Sequence, residues 1–168
     1  MATLTLRPSS NVQVLNWTGS YTDVDEETAD EDTSYAYYNS DEDRDSRWFL
    51  IKENGVTTEQ GSGAPLFTYA TNDYTWTTRP SDGQPFTVAD IDDLAIGEGG
   101  QLTGGISARI LFGLPASGIH GTINSIKVYR RDKKVDTGYP NVQIRLTQIY
   151  VVVDYTPLYK GARGYFIG

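Results

Sequence analysis

The most regular alternation of hydrophobic and polar positions lies between residues 142 and 155, VQIRLTQIYVVVDY. From Val142 to Leu146 every second residue is apolar, which predicts a strand with one buried and one solvated face. From Ile149 onward the apolar residues have the opposite parity, so a β-bulge at Thr147-Gln148 is needed to keep one face directed at the core. Because the run is about twice as long as an ordinary strand, we expect it to bend and to pair with different neighbours along its two halves.

Shorter runs of strand-forming residues, separated by turns rich in Gly, Pro, Asn and Asp, predict the other strands. They cover residues 2–7, 12–17, 33–38, 47–52, 56–59, 66–70, 74–78, 106–112 and 123–130. Asn54-Gly55 is the favoured pair for a two-residue hairpin turn, because both turn residues need positive φ. Residues 97–105 predict a Gly-rich loop, and residues 131–141 predict a connection to the long strand.

One short helix is predicted at residues 88–94. Thr87 is a suitable N-cap, and Asp90 stands three residues later as its partner in a capping box. Ile91 and Leu94 are placed to face inward. Together with the dense turns, this single helix indicates the all-β class, and we expect an antiparallel two-sheet β-sandwich, jelly-roll-like, of eight to ten strands.

The chain has 168 residues and no Cys. This length suits one domain with its own core, which we place at residues 1–156. Without Cys neither a disulfide framework nor a thiolate metal site can form, which fits folding in a reducing cytosol. The N terminus lacks the basic and apolar regions of an export signal, and no segment approaches about 18 apolar residues. We therefore expect a soluble protein with no membrane partner.

The charge of the chain is strongly asymmetric. Residues 1–100 hold 5 Lys/Arg and 19 Asp/Glu (net −14), whereas residues 101–168 hold 9 and 3 (net +6). Within one fold this asymmetry predicts strands of complementary charge, and in an assembly it could bring the acidic surface of one copy to the basic surface of the next. Because the basic residues are thinly spread and the net charge is −8, nucleic-acid binding is not expected.

Residues 21–45 contain 11 of the 22 acidic residues of the chain. One interpretation is a solvated acidic loop. The other is a Ca²⁺ site, because several carboxylates offer hard oxygen ligands to one cation. The candidate ligands are Asp23, Asp25, Glu27, Asp30 and Asp32. Their spacing departs from the EF-hand loop, which also has a Gly at its central turn.

No set of residues with the pattern of an enzyme active site is visible. His120 is the single histidine and lies in a Gly-rich loop, so triads, zinc sites and His-based acid–base catalysis are not expected. A glycosidase needs only two carboxylates, but a solvated loop explains the single acidic run better than a cleft does. We therefore expect a protein that is not an enzyme and needs no cofactor.

The C-terminal residues 157–168 combine apolar, basic and Gly residues beyond the last strand. Pro157 ends the strand and three Gly favour disorder in the isolated segment. Exposed apolar side chains of this kind mark a partner contact. We interpret the segment as an assembly arm that binds another copy or another protein through Leu158, Tyr159, Lys160, Arg163, Tyr165 and Phe166. The alternative is that it folds back over its own sandwich.

Three segments resemble β-sandwich, jelly-roll-like structural and decoration proteins of tailed-bacteriophage virions. Residues 76–97, WTTRPSDGQPFTVADIDDLAIG, resemble a P-x-(D/T)-G-x-x-(W/F)-T-x-x-D-(I/V)-(D/N)-x-L-x-x-G segment of that family. Residues 145–155, RLTQIYVVVDY, are similar to its closing strand, and residues 23–38 to its early acidic stretch. In this chain residues 98–141 intervene between the first two segments, which departs from the family pattern and affects the expected strand order.

The resemblance implies a non-enzymatic structural protein of a tailed-phage virion that decorates or cements the capsid exterior. Its partners would be the major capsid protein or other virion proteins, its state a homo-oligomer, and its location the virion, assembled in the host cytoplasm. The alternative is a carbohydrate-binding or receptor-binding module of a tail fibre. That module would use Trp17, Trp48, Trp76 or surface Tyr residues as sugar platforms, although Trp48 and Trp76 lie in predicted strands, where core positions are commoner.

Overall fold

The structure is a computed structural model that describes residues 1–40, 47–62, 66–101, 107–138 and 141–158. Its strands are β1 (Ala2–Leu6), β2 (Ser10–Leu15), β3 (Ala36–Ser40), β4 (Arg47–Glu53), β5 (Val56–Ser62), β6 (Ala70–Trp76), β7 (Ala95–Gln101), β8 (Ser107–Gly113), β9 (Gly121–Gly138) and β10 (Asn141–Pro157), with a 3-10 turn at Tyr21–Asp23 and one α-helix, α1 (Val88–Asp92). All ladders are antiparallel. The predicted all-β, two-sheet sandwich with one short helix is confirmed.

Each sheet has five strands. In the first sheet the order is β1-β10-β9-β6. The fifth strand, β3, pairs with the N-terminal half of β10, on the same edge as β1. In the second sheet the order is β2-β8-β7-β4-β5. Buried side chains from both sheets form one core, in which Phe49 and Phe112 of the second sheet meet Ile149 and Val151 of the first. Removing a large side chain from such a core typically costs about 2–5 kcal/mol.

β10 is the long strand that the alternation predicts. Its register against β9 shifts between Leu146 and Gln148, so the predicted bulge is confirmed. β3 pairs with residues 142–146 and β1 with residues 151–155, so the two halves have different neighbours, as predicted. The bulge keeps Ile144 and Leu146 before it, and Ile149 after it, in the same core.

β9 continues to Gly138, so the prediction of a connection over residues 131–141 is wrong for residues 131–138. The prediction fails because several inward-facing positions of β9 are charged. Arg130, Asp132 and Lys134 alternate with more exposed neighbours and are buried. In the sequence these charged residues indicate a solvated segment, although in the fold they occupy the core-facing side of a strand.

β7 lies where the sequence predicts a Gly-rich loop, so that prediction is wrong for residues 97–101, whereas residues 102–105 lie outside the described residues. The glycines permit unusually close packing: a Cβ atom on Gly97 would lie 1.8 Å from the backbone oxygen of Ile110 on β8. The strand predicted at residues 66–70 is wrong for residues 66–69, and β6 instead runs from Ala70 through the predicted turn to Trp76. Asn72 and Asp73, which favour turns, lie within this edge strand.

The predicted hairpin and helix cap are confirmed. Asn54 and Gly55 have φ of 47° and 78°, and the turn joins Glu53 to Val56 in register. The Thr87 hydroxyl accepts a hydrogen bond from the Asp90 N–H at 3.2 Å, and the Asp90 carboxylate accepts one from the Thr87 N–H at 2.7 Å. In the described ranges no helix has both the length and the apolar character needed to cross a membrane.

Candidate functional site

The acidic segment, residues 20–34, docks on the edge of β10 between β1 and β3. The buried Val24 accepts a backbone hydrogen bond from the Ile149 N–H at 3.1 Å through its carbonyl oxygen. The preceding turn is fixed by the Asp23 carboxylate, which accepts a 2.6 Å hydrogen bond from the Ser20 N–H. The segment therefore occupies the interval that the two short strands leave open along β10.

The β-bulge anchors this segment. Both bulge side chains are buried. The Thr147 hydroxyl lies within hydrogen-bonding distance of the carbonyl oxygens of Glu31, at 3.2 Å, and Ser34, at 3.1 Å. The Gln148 side-chain amide donates to the carbonyl oxygen of Glu26 at 2.8 Å. The register shift thus turns two polar side chains towards the backbone of the acidic segment, which satisfies polar groups that burial would otherwise leave without water.

Ion pairs extend the contact to the outer face of the first sheet. Asp32 lies 2.6 Å from the Lys133 ammonium and 2.7 Å from the Arg145 guanidinium, and Glu31 pairs with Arg131. The hydrogen bond from Lys133 is the main reason why the pKa of Asp32 lies below its ordinary value. Two of these side chains come from β9 and one from β10, so the pairs join the acidic segment to the two longest strands.

The opposite charges of the two halves of the chain meet within the fold. Six ion pairs among the described residues join an acidic residue before position 101 to a basic residue after it. They are Glu31–Arg131, Asp32–Lys133, Asp32–Arg145, Glu59–Arg109, Asp73–Lys127 and Glu98–Arg130. These pairs agree with the expectation that the charge asymmetry reflects strands of complementary charge within one fold.

The structure does not bring the five candidate calcium ligands together. Asp23 caps the turn at Ser20, Asp30 accepts a 3.2 Å hydrogen bond from the Ser34 N–H, and Asp32 is held by Lys133 and Arg145. Asp25 and Glu27 are on the same segment but complete no cluster. Across the part of the chain that the structure describes, no three Asp, Glu or His side chains are grouped so as to hold a metal ion. Calcium binding remains a prediction from the sequence alone.

Aromatic and cationic side chains cover the outer face of the first sheet. Tyr129 and Tyr150 stack on each other, and the Arg7 guanidinium lies 5.0 Å from the Tyr150 ring centroid. Lys127 lies 5.0 Å from the Tyr129 ring centroid, on β9. Since a sugar platform needs a free aromatic face, this row of contacts leaves little of either ring for a ligand.

The tryptophans proposed as sugar platforms are mostly enclosed. Trp17 and Trp76 are each only 7% exposed and belong to the core. Trp48 is half-buried on the outer face of the second sheet, where a Cβ atom on Gly99 would lie 3.4 Å from its ring. Two of the three candidate platforms are therefore inaccessible.

A cluster of four buried charges lies between the sheets. Arg47 and Glu98 come from the second sheet, and Arg130 and Asp132 come from β9 of the first. The Arg47 guanidinium contacts the Asp132 carboxylate, and Arg130 Nε lies 3.1 Å from Asp132 Oδ2. This cluster is not visible in the sequence, because its members come from strands far apart in the chain.

Glu98 is the least well paired member of this cluster. Its Oε1 atom lies 3.6 Å from Arg47 and 4.0 Å from Arg130, distances too long for hydrogen bonds. Burial is the main cause that raises the pKa of Glu98 to about 7, with the charge of Asp132 adding to it. Burial likewise raises the pKa of Asp132. Two cations balance the two carboxylates, which makes the burial tolerable.

Residues 76–97 form a cap at one end of the sandwich. Gly83, with φ of 73°, completes a turn in which its N–H donates to the Arg79 carbonyl oxygen at 2.8 Å. Arg79 pairs with Asp82 at 2.6 Å and with the buried Asp90 at 3.2 Å. Burial alone would raise the pKa of Asp90, but hydrogen bonds from Thr87, Asn54 and Arg79 hold that pKa below its ordinary value. The residues that carry the resemblance therefore have structural roles here.

β2 is the most exposed edge of the fold. All six of its residues are exposed, including Val12, Val14 and Leu15. Its one ladder partner is β8.

The last strand ends just before the predicted arm. β10 runs through Pro157, and the Leu158 N–H still donates to the His120 carbonyl oxygen at 3.0 Å. Tyr159, Lys160, Arg163, Tyr165 and Phe166 of the predicted arm lie outside the described residues.

Comparison of the chain with protein-family models, with curated proteins and with solved structures found no match.

Proposed function

We propose that this chain is a non-enzymatic structural protein of a tailed-phage virion, which decorates or cements the capsid exterior and binds the major capsid protein or other virion proteins. The observation that carries the proposal is the edge strand β2. It exposes three large apolar side chains and has no charged residue, Pro or covering element within the described residues. Monomeric proteins protect such edges, so an unprotected one favours a protein that works in an assembly.

The resemblance to phage virion proteins directs this proposal to a particle. The similar segments supply the cap, the acidic segment and β10, which are parts of the scaffold. A structural protein needs a rigid scaffold and a surface for assembly, and these features supply both. The carbohydrate-binding alternative is less well supported, because Trp17 and Trp76 are buried in the core.

Immunogold labelling of intact virions of the phage that encodes the chain tests the proposal. We expect regular labelling over the head surface before any disruption of the particle. Quantitative mass spectrometry of purified particles should find the chain in tens of copies or more. Absence of the chain from purified virions would refute the proposal, and labelling confined to the tail would refute the capsid location.

A further inference from the structure

The edge strand β2 differs from the other edge strands of the sandwich. β1 and β3 are also uncharged, but neither exposes a large apolar side chain. On β5, Glu59 pairs with Arg109, and on β6, Asp73 pairs with Lys127, so each of those edges carries a charged side chain. β2 has the sequence SNVQVL, and its free edge makes no backbone hydrogen bond with any described residue. An uncharged edge of this kind is a template for one more strand.

The acidic segment comes close to the start of β2. The Tyr21 N–H donates to the Asn11 side-chain oxygen at 2.8 Å, which places the acidic segment beside the start of β2. In that segment the carboxylates of Asp25 and Glu27 form no ion pair within the described ranges. A strand that binds here gains from apolar side chains along β2 and from basic side chains near its rim.

The C-terminal residues of the chain have this composition. Residues 159–168, YKGARGYFIG, contain Lys160 and Arg163, no acidic residue, and four large apolar side chains. Fully extended, ten residues span about 33–36 Å, whereas the six residues of β2 span about 20 Å. The arm is therefore long enough to reach and cover the edge of an adjacent molecule.

Strand direction indicates which molecule the arm reaches. β2 begins at Ser10, opposite Gly113 and Ala95, at the end of the sandwich where the β4–β5 hairpin turns. The cap joins this end to the first sheet, because Ser81 donates to Glu53 and β6 ends beside Ile126. β10 finishes at this same end.

An arm that starts at this end would run parallel to its own β2. To pair antiparallel, as every other ladder in the structure does, it would first have to pass the full length of β2 and turn back. Residues 159–168 cannot both follow that path and pair along β2. We propose that residues 159–168 of one copy add as an antiparallel strand to β2 of a second copy. This inference names the homotypic contact of the proposed virion protein and rests on that function for its biological setting.

The absence of Cys from the chain makes disulfide trapping a clean test. Single-cysteine chains carrying Val14→Cys are mixed with chains carrying Tyr165→Cys or Phe166→Cys and oxidised gently. We expect covalent dimers that contain one chain of each kind. Val56→Cys is the matched control, since Val56 is 48% exposed on the edge strand β5 and Val14 is 44% exposed on β2. It should not link to the arm.

Other trapped products would overturn the inference. A double variant with Val14→Cys and Tyr165→Cys that closes within one monomer would show that the arm folds back. Dimers formed by Val14→Cys alone would show pairing of two β2 edges. Failure of all arm cysteines to link to Val14→Cys, with a monomeric mass at every concentration, would show that neither contact forms.

Sedimentation equilibrium supplies a second measurement on the unmodified surface. Ending the chain after Leu158, or introducing Val14→Lys, should weaken self-association about tenfold or more, whereas Val56→Lys should leave it unchanged. Circular dichroism must show that each variant is folded. These assays use purified protein, so a negative result refutes the contact between the arm and β2 without refuting the proposed virion function. Unlabelled virions would refute that function without refuting a contact that has been trapped.

Discussion

The rings of Tyr129 and Tyr150 lie face to face across β9 and β10, with centroids 4.8 Å apart and planes inclined by 12°. Their backbones are directly opposite in the ladder, on the outer face of the first sheet. Arg7 and Lys127 lie at 5.0 Å from the two centroids. Four side chains, from β9, β10 and the residue that follows β1, therefore form one continuous contact on the outside of the first sheet.

This stacking should be measurable as a coupling between the two tyrosines. We expect Tyr129→Ala and Tyr150→Ala to interact by about 0.5–1.5 kcal/mol in a double-mutant cycle, because each single change already removes the shared contact. Urea unfolding of the four proteins gives the value. A cycle between Tyr129→Ala and Tyr35→Ala is the control, since these residues share no contact and should be additive. Additivity of the stacked pair would contradict the prediction.

The buried Glu98 predicts that stability falls as pH rises. Burial raises its folded-state pKa to about 7, above the value of about 4.5 expected in the unfolded chain, so the folded state binds the proton more tightly. The stabilisation is complete below the unfolded pKa and is lost as pH rises through about 7. Arg47, Arg130, Asp132 and the Tyr38 hydroxyl are the charged and titratable groups that surround it. We expect a loss on the order of 1–3 kcal/mol between about pH 5 and pH 8.

Glu98→Gln should flatten this pH profile, because the amide does not titrate. Urea unfolding across the same pH range measures the effect. Asp32→Asn is the control: the pKa of Asp32 is lowered, so its contribution is lost only as pH falls below about 4. A Glu98→Gln protein with the pH profile of the parent would show that another group is responsible.

Asp90 should be essential for the cap. Its carboxylate accepts hydrogen bonds from Thr87, Asn54 and Arg79 and is 4% exposed. Asp90→Ala removes these charge-assisted hydrogen bonds and the capping box together, so we expect a loss of about 2–4 kcal/mol. Thermal and urea unfolding measure it. Asp93→Ala, at an exposed position just after the helix, should change stability by less than about 0.5 kcal/mol, and equal losses would refute the assigned role.

Gly97 and Gly99 form a matched pair on β7. A Cβ atom at Gly97 would meet the Ile110 backbone oxygen at 1.8 Å, whereas one at Gly99 would meet the end of the Leu50 side chain at 3.3 Å. The Ile110 backbone is fixed by its sheet hydrogen bonds and cannot move aside, whereas the end of the Leu50 side chain can rotate away. We expect Gly97→Ala to cost at least about 3 kcal/mol and to break up the β7–β8 ladder, and Gly99→Ala to cost about 1 kcal/mol or less. Hydrogen exchange of the β8 amides distinguishes the two, and similar exchange in both variants would contradict the prediction.

The sequence predicts those elements in which side-chain polarity follows burial. In β10 the apolar parity and its single switch are visible along the chain, so the strand, the bulge and the division between neighbours are all predicted. In β9 the pattern fails because Arg130, Asp132 and Lys134 face inward, and their partners Arg47 and Glu98 come from other strands. In β7 the glycines indicate a loop, although close packing against β8 is what requires Gly97.

The candidate site was only partly predictable for the same reason. The acidic run is plain in the sequence, and a cluster of carboxylates favours a metal ion on composition alone. Only the fold shows that Asp32 meets Lys133 and Arg145, which stand more than a hundred positions later in the chain. The exposed edge of β2 is likewise invisible in its sequence, because Val12 and Val14 suggest burial until the strand is found to have one neighbour.

The bulge at Thr147-Gln148 decides where β10 tolerates a change in length. Deleting one of these two residues would restore an unbroken alternation in which Ile149, Val151 and Val153 still face inward, although a side chain that holds the acidic segment would be lost. Deleting one residue elsewhere in β10, with the bulge kept, would instead turn over the part of the strand on one side of the deletion, so that its apolar side chains face solvent. A gene that loses one codon outside the bulge therefore exchanges inside for outside over part of the central strand, whereas most single substitutions in β10 alter one contact. Relatives of this chain should therefore keep the residue count of β10 on both sides of the bulge.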